Sequence, residues 1–175
     1  MRNKEQVTRN KGQAARLRDL GVQVRTYEPR DREQVWALHQ EGLRDTGAFY
    51  PNADPRWDDD LRRIEEVYLT EGSHFWVAEA GDRLVGMTAV LREEVETARL
   101  RRMRVTAGWR RRGLGQALLE VAEEFCRRRG YRRIMLDTTD RQEAARRLYE
   151  RNGYVRTGER QLGEMQMVFY RKELA

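Results

Sequence analysis

The segment Arg110-Arg111-Arg112-Gly113-Leu114-Gly115, continued by Gln116-Ala117-Leu118-Leu119, constrains this chain more than any other. It follows a strand-like run, Leu100 to Val105, and opens a helix-like run. Glycines at such a junction let backbone pass close to a ligand. The free N–H groups of the helix start then point outward, with the positive end of the helix dipole behind them. Arginines beside them add charge-assisted, bidentate contacts. Strand, glycine turn, helix and three cations together describe a cradle for a pyrophosphate.

The rest of the composition sets outer bounds. A chain of 175 residues suffices for about one domain with a real core. Charged residues make up 37% and apolar ones 39%, and the apolar ones are patterned, which marks a folded chain. No apolar run approaches the ~20 residues of a membrane span, and the polar, basic Met1–Gly21 lacks the apolar centre of a secretory signal. This start is expected to be a flexible or partly helical extension, and residues 22–175 a single domain. The one cysteine, Cys126, leaves no partner for an internal disulfide and falls on the apolar face of a helix, which fits a reducing cytoplasm. A net charge of +6 carried mostly by arginine suits nucleic acid, an anionic cofactor, or simply an arginine-favouring genome.

Periodicity orders the elements. Val22–Tyr27 alternates as a strand. Asp31 is expected to cap a helix in a box with Gln34, with Val35, Leu38 and Trp36 inward. Tyr50–Pro55 is loop. Trp57–Leu69 reads as one second helix. His74–Ala80, a turn at Gly81-Asp82, Arg83–Leu91 and Ala98–Val105 form a meander. Then come the helix from Leu114, ending at Arg127-Arg128-Arg129-Gly130, an apolar strand at Ile134–Leu136, a helix over Gln142–Asn152, and strands Tyr154–Thr157 and Met165–Lys172 around a loop at Gly158–Gly163. The order β-α-α-β-β-β-α-β-α-β-β predicts an α/β chain with a mixed sheet.

Four of these segments together resemble the GNAT (GCN5-related) N-acetyltransferases. Ala78–Gly86 is similar to the family's second hairpin and Leu100–Val105 to its cofactor-binding strand. Arg110–Gly115 fits its Gln/Arg-x-x-Gly-x-Gly/Ala signature, and Ala145–Tyr154 its last helix and strand. Leu136-Asp137-Thr138-Thr139 with Gln142, Ala145, Leu148 and Tyr149 is most similar to the NAT8 or camello-like branch. The resemblance covers about residues 22–172. It implies a mostly antiparallel six- to seven-stranded sheet flanked by four helices and splayed between two central parallel strands. It also implies acetyl-CoA as co-substrate without a metal, an amine as acceptor, and self-association through the final strands or a sheet edge as a homodimer. No membrane partner is expected.

The backbone of Arg112, Gly113, Gly115 and Gln116, with Arg110 nearby, suits a pyrophosphate; Arg111, Leu114 and Ala117 complete the loop and first turn. By similarity, Met103, Arg104 and Val105 would pair their backbone with the pantetheine arm as an added strand, with Gln142, Ala145 and Tyr149 flanking it. Met103 and Val105 also suit plain core packing. Acetyl transfer requires a neutral amine, a donor to the oxyanion, here a backbone N–H of Met103–Val105, and a proton for the thiolate. Tyr149 lies where the family often places its general acid. A phenol of pKa ~10 can serve a thiol of pKa ~8.5, or Tyr149 merely packs.

The general base is less defined. Where many relatives carry a glutamate this chain reads Ala98-Arg99-Leu100. Asp137, at the carboxyl end of the following parallel strand, is the first candidate; capping of residues 139–141 is its structural alternative. Glu93, Glu94, Glu96, His74 and His39 are further candidates. Asp54, Asp58, Asp59, Asp60, Glu65 and Glu66 would form either a negative wall for a cationic amine or, as we favour, a solvated helix face. Tyr50, Trp57 and Trp76 suit an acceptor pocket or the core. Two other functions compete: a non-catalytic acyl-CoA-binding module, motivated by the missing strand carboxylate, and nucleic-acid binding through arginines at 2–25, 99–112 and 127–133, which lack a reading motif.

Overall fold

The computed structural model describes residue 15, residues 17–49 and residues 54–174. Among these, seven strands form a sheet: β1 (Gln23–Thr26), β2 (His74–Ala80), β3 (Arg83–Arg92), β4 (Thr97–Val105), β5 (Arg133–Thr139), β6 (Val155–Leu162) and β7 (Met165–Glu173). Their spatial order is β1-β2-β3-β4-β5-β7-β6. Every neighbouring pair is antiparallel, three of them (β2–β3, β3–β4 and β6–β7) as hairpins, except β4 and β5, which are joined through a crossover helix and run parallel. The helices are α1 (Arg32–Asp45), α2 (Asp59–Arg62), α3 (Ile64–Tyr68), α4 (Leu114–Arg128) and α5 (Glu143–Arg151).

The alternation along β2 explains the layering. Phe75 and Val77 face one side, where Val35 and Leu38 of α1, Leu61 of α2 and Ile64 and Tyr68 of α3 close over them. Trp76 packs on the other side with Val90, Ala98 and Ile134 beneath Leu119, Ala122 and Cys126 of α4. Cys126 is a buried core residue, and burial pushes its thiol up to about 12. No helix among the described residues is long and apolar enough to cross a membrane.

Three local expectations are corrected. Asp31 ends a 3-10 turn, Pro29–Asp31, instead of capping α1; its carboxylate accepts from the Glu28 N–H and pairs with Arg25. Gln34 instead accepts from the Leu84 N–H and donates to the Asp82 carbonyl, anchoring α1 to the β2–β3 turn. The second helix is broken. A 3-10 turn over Pro55–Asp58 precedes α2, and Arg63, at φ −131° and ψ 42°, separates α2 from α3. The final strand pair is longer than read: β6 runs through the supposed loop to Leu162, because β7 supplies partners up to Met165. In the part of the N-terminal extension that is described, residues 17–19 are helical, Leu17 and Leu20 pack near Val22, Leu114 and Leu118, and the Val22 N–H donates to the Leu17 carbonyl. Residues 1–14 and 16 of the extension lie outside the described residues.

Candidate active site

β4 and β5 pair over only three positions, Thr97 with Arg133, Ala98 with Ile134 and Arg99 with Met135. Beyond Arg99, β4 stays bonded to β3 as far as Val105, and β5 stays bonded to β7 as far as Thr139. The β5-facing edge of Leu100–Val105 therefore has no strand partner among the described residues, and the sheet opens there. An extra residue in β4, opposite the step from Met87 to Ala89, accompanies the opening. It places Arg102 at φ +55°, in the left-handed region.

Past the end of β4, the 3-10 turn Ala107–Trp109 leads through Arg111, at φ +59°, to Gly113 at φ +86° and into α4. No side chain caps this helix among the described residues. The amides of Leu114, Gly115 and Gln116, which have no intrahelical acceptor by construction, stay available to an anion. Ala117 begins the helical ladder, its N–H donating to Gly113 O. The flanking arginines are less free than their sequence suggests. Arg110 donates to the Val105 carbonyl and pairs with Asp45 at 2.8 Å, and the Arg112 guanidinium lies over the Trp109 ring. The cradle is thus made chiefly of backbone.

Where the strands part, a cavity of about 540 Å³ opens. α1 walls it with Trp36, His39, Gln40 and Leu43; β4 supplies Leu100 to Arg104; the end of β5 supplies Asp137 to Thr139; Gln142 and Tyr149 close the α5 side. Leu162, Met165 and Met167 at the β6–β7 end complete it. Arg141 donates to the Gly47 carbonyl at 2.5 Å, tying the β5–α5 connection to the end of α1.

Tyr149 is buried, and its hydroxyl lies 3.8 Å from the Met103 sulfur. Burial pushes its phenol up to about 12, with Arg104 opposing and Asp137 adding to that rise. Asp137 reaches the cavity, but its carboxylate accepts from Arg99 at 3.0 Å, and Arg99 also holds Glu93. Gln142 accepts from the Thr138 hydroxyl at 2.6 Å, and Ala145 packs against the core. Of the other base candidates, only His39 reaches the cavity. Glu94 receives the Thr97 hydroxyl and Glu96 pairs with Arg132. His74 stacks on Trp76 and Phe125 and meets the Thr26 hydroxyl. Of the aromatics, Trp57 lines the cavity and Trp76 does not; Tyr50 lies outside the described residues.

The acidic cluster is neutralised from within the fold. Arg102, largely buried, pairs with both Asp58 and Asp60 and donates to the Trp57 carbonyl. Tyr68 donates to Asp60 from below. Asp54 pairs with Arg56, Asp59 with Arg62, Glu65 with Arg32 and Glu66 with Arg63. Burial raises the Asp60 carboxyl, but the Arg102 guanidinium outweighs it and holds the group below its ordinary range. His39 lies 3.0 Å from Asp58, out of line for a hydrogen bond, so both ring nitrogens are buried without a hydrogen-bonding partner among the described residues. Burial, aided by Arg104 and Arg102 and opposed by Asp58, lowers its pKa and keeps the ring neutral. Only the complementary charges of the acids at 54–66 and the arginines at 99–104 hint at this network in the sequence, because the two groups lie far apart along the chain. The other basic stretch is likewise matched: Arg127 and Arg128 to Glu123 and Glu124, Arg132 and Arg133 to Glu96 and Glu173. That leaves little unpaired cationic surface there for nucleic acid.

Residues 32–154, more than half of the chain, match the model of the acetyltransferase (GNAT) family. The chain belongs to the GNAT family. Among curated proteins it is similar to human N-acetyltransferase 8, 37% identical over 106 residues, covering 57% of this chain and 47% of that protein. This similarity supports the N-acetyltransferase 8-like branch. The chain spans about half the length of that relative. Among solved structures it resembles an acetyltransferase of the GNAT family from Staphylococcus aureus, with a TM-score of 0.79 at 23% identity, covering 88% of this chain and 99% of the other. It also resembles yncA from Salmonella typhimurium, solved with its cofactor acetyl-CoA, at TM-score 0.72 and 18% identity over 89% of this chain and 95% of that one. These likenesses bear out the expected GNAT fold: a seven-stranded, mostly antiparallel sheet with one parallel central pair.

Proposed function

We propose that this chain is an acetyl-CoA-dependent N-acetyltransferase that moves an acetyl group to a primary amine by direct attack in a ternary complex. The observation that carries the reading is the coincidence of three features in a GNAT chain: the parting of β4 from β5 after Arg99 and Met135, the uncapped amides at the start of α4, and the cavity between them. Acetyl-CoA would supply an activated thioester. The amides of Gly113–Gln116 would hold its pyrophosphate, and the unpaired edge of Met103–Val105 would hold the amides of its arm, with Gln142 and Ala145 alongside. A backbone N–H of that same edge would meet the oxygen on which charge develops.

Tyr149 would serve the departing sulfur. With the phenol at about 12 and a thiol near ~8.5, complete proton transfer in the ground state is uphill by roughly 5 kcal/mol. Tyr149 therefore acts best as a hydrogen-bond donor to the developing thiolate, with the proton moving fully only as the products separate. Asp137 stands as the base candidate that takes the amine proton, directly or through water, once Arg99 loosens its hold.

The decisive test follows free thiol release from acetyl-CoA across an amine panel, with calorimetry for coenzyme A. Binding and amine-dependent thiol release are expected; absence of both overturns the reading. A second reading, cofactor binding without transfer, draws on the engagement of Asp137 by Arg99 and on the missing strand carboxylate. Coenzyme A binding with no turnover of any amine would select it.

The proposal extends to organisation. Residues 22–175 would act as one domain with residues 1–21 appended, working in the cytoplasm. A homodimer would form through the edge strand β6, where Val155 and Leu162 are exposed.

A further inference from the structure

We propose that Asp45 holds Arg110 in an autoinhibitory pair that a diphosphate must displace, so that the last residue of α1 sets the affinity of the cradle for coenzyme A. The inference rests on reading the start of α4 as the site of the cofactor's pyrophosphate.

Three arginines precede the cradle, and only the first is matched by an acid. Arg110 donates through Nε to the carbonyl of Val105, the last residue of β4, at 3.1 Å, and through Nη2 to the Asp45 carboxylate at 2.8 Å. Arg112 lies over the Trp109 ring, and neither it nor Arg111 forms an ion pair among the described residues. Asp45 stands 65 positions before Arg110, so the contact is a product of the fold. Asp45 also ends α1, where the last carbonyls of the helix add partial negative charge beside its carboxylate. The fold thus offers Arg110 an anion of its own at the edge of the anion cradle. Both side chains stay partly exposed, at 38% and 31%, so a ligand can reach them and solvent weakens the pair. A diphosphate carries more charge than a carboxylate and accepts parallel bonds from an arginine fork, and the amides of α4 hold it in addition. The diphosphate therefore wins the competition, at a cost to its affinity.

The pair is also one of two ties on the end of α1. Two residues after Asp45, the Gly47 carbonyl accepts from Arg141 in the β5–α5 connection, and the Thr46 hydroxyl between them donates back to the Gly42 carbonyl at 2.9 Å. The end of this helix is therefore fastened to the end of β4 on one side and past the end of β5 on the other, and between those two strands the sheet opens. The same helix walls the cavity with His39, Gln40 and Leu43. A phosphate that draws Arg110 over undoes the first tie and leaves the second. Occupation of the cradle is in this way felt by the helix that walls the cavity.

Calorimetry on the full chain tests the pair, with coenzyme A and with pantetheine, which keeps the arm and the thiol and lacks the phosphates. Asp45→Asn should tighten coenzyme A by about three- to fivefold at low ionic strength, and the gain should shrink at high salt. Pantetheine should stay within about 1.5-fold, because it never meets Arg110. Arg110→Gln should weaken coenzyme A by about tenfold. Adding Asp45→Asn to Arg110→Gln should then gain less than about twofold, since the carboxylate has lost the group it competes for. Thermal melts without ligand check that each variant folds, and Asp45→Ser, which also removes the charge, repeats the measurement if the amide is not tolerated. Unchanged affinity in Asp45→Asn overturns the proposal. Weaker binding in that variant overturns it too, and assigns Asp45 to positioning Arg110 for the phosphates. A gain that persists in full on the Arg110→Gln background, or that pantetheine shares, likewise overturns it, because Asp45 would then act without the pair. A wild-type chain that binds pantetheine but not coenzyme A, or neither, would instead fail the pyrophosphate reading, and this proposal with it.

Discussion

The side-chain amides of Gln116, in the first turn of α4, and Asn152, the residue that ends α5, bond each other in both directions, at 2.8 and 2.9 Å. Asn152 also donates to the Leu148 carbonyl, and Gln116 to Glu120. The pair clamps the end of the helix bearing Tyr149 to the start of the helix bearing the anion cradle. Replacing either amide by Ala should cost about 1–2 kcal/mol, because a partly buried partner is left unsatisfied. The double variant should cost less than the sum of the singles. Urea denaturation of the three variants checks this; strict additivity would mean that the pair is not coupled.

Gly113 and Gly115 do different jobs and should respond differently to alanine. Gly113 sits at φ +86°, so Gly113→Ala is expected to lose roughly 1–2 kcal/mol of stability and to weaken coenzyme A binding by distorting the turn. A Cβ on Gly115 would meet nothing closer than the Leu148 Cδ2 at 3.6 Å, so Gly115→Ala should fold as well or gain up to about 1 kcal/mol from helix propensity. Thermal melts with and without coenzyme A distinguish the two.

Tyr149→Phe should lower kcat by roughly ten- to a hundredfold with little change in the KM for acetyl-CoA. Because burial holds the phenol near 12, the wild-type rate should show no downward limb from this group between pH 8 and 10. A variant with unchanged turnover over that range would remove Tyr149 from the chemistry.

Arg102→Met should destabilise the protein by about 3–5 kcal/mol, since it strands Asp58 and Asp60 beneath α1. Both carboxyls are held below their ordinary range in the native state. The stability they contribute is therefore complete above ~3.9 and is lost as pH falls through their native values. The gap between wild type and variant should narrow in acid, as urea titrations at pH 7 and about pH 2.5 would show.

His39 has its native pKa lowered below the unfolded value of ~6.5, so the unfolded chain binds the extra proton first. Stability from this ring is present above that value and declines as pH drops below it. His74, the other histidine, is lowered too, by burial and by Arg129. Comparing His39→Gln and His74→Gln from pH 7.5 to 5.5 assigns the slope: it should flatten more in the His39 variant.

Much of the fold was legible along the chain. Alternation marked β2, β3 and β4, a helical period marked α4 and α5, and the Arg110–Gly115 junction located the cradle, because each signal is local and set by backbone geometry. The parallel β4–β5 pair followed from a crossover helix of sufficient length. Mistakes arose where a side chain had two eligible partners. Asp31 could cap α1 or bind Arg25, and Gln34 could close that box or hold the β2–β3 turn; packing selected the second in each case.

The sequence by itself determined the order of elements, the glycine turn and the family, since these depend on residues near one another in the chain. Only the tertiary structure decided which charges are consumed and which remain. Arg102 reaches acids more than forty positions away, Arg110 is spent on Asp45, and Arg104 is left over. Coulomb attraction and desolvation depend on distance through space and on burial, and neither is written in the spacing of residues along the chain.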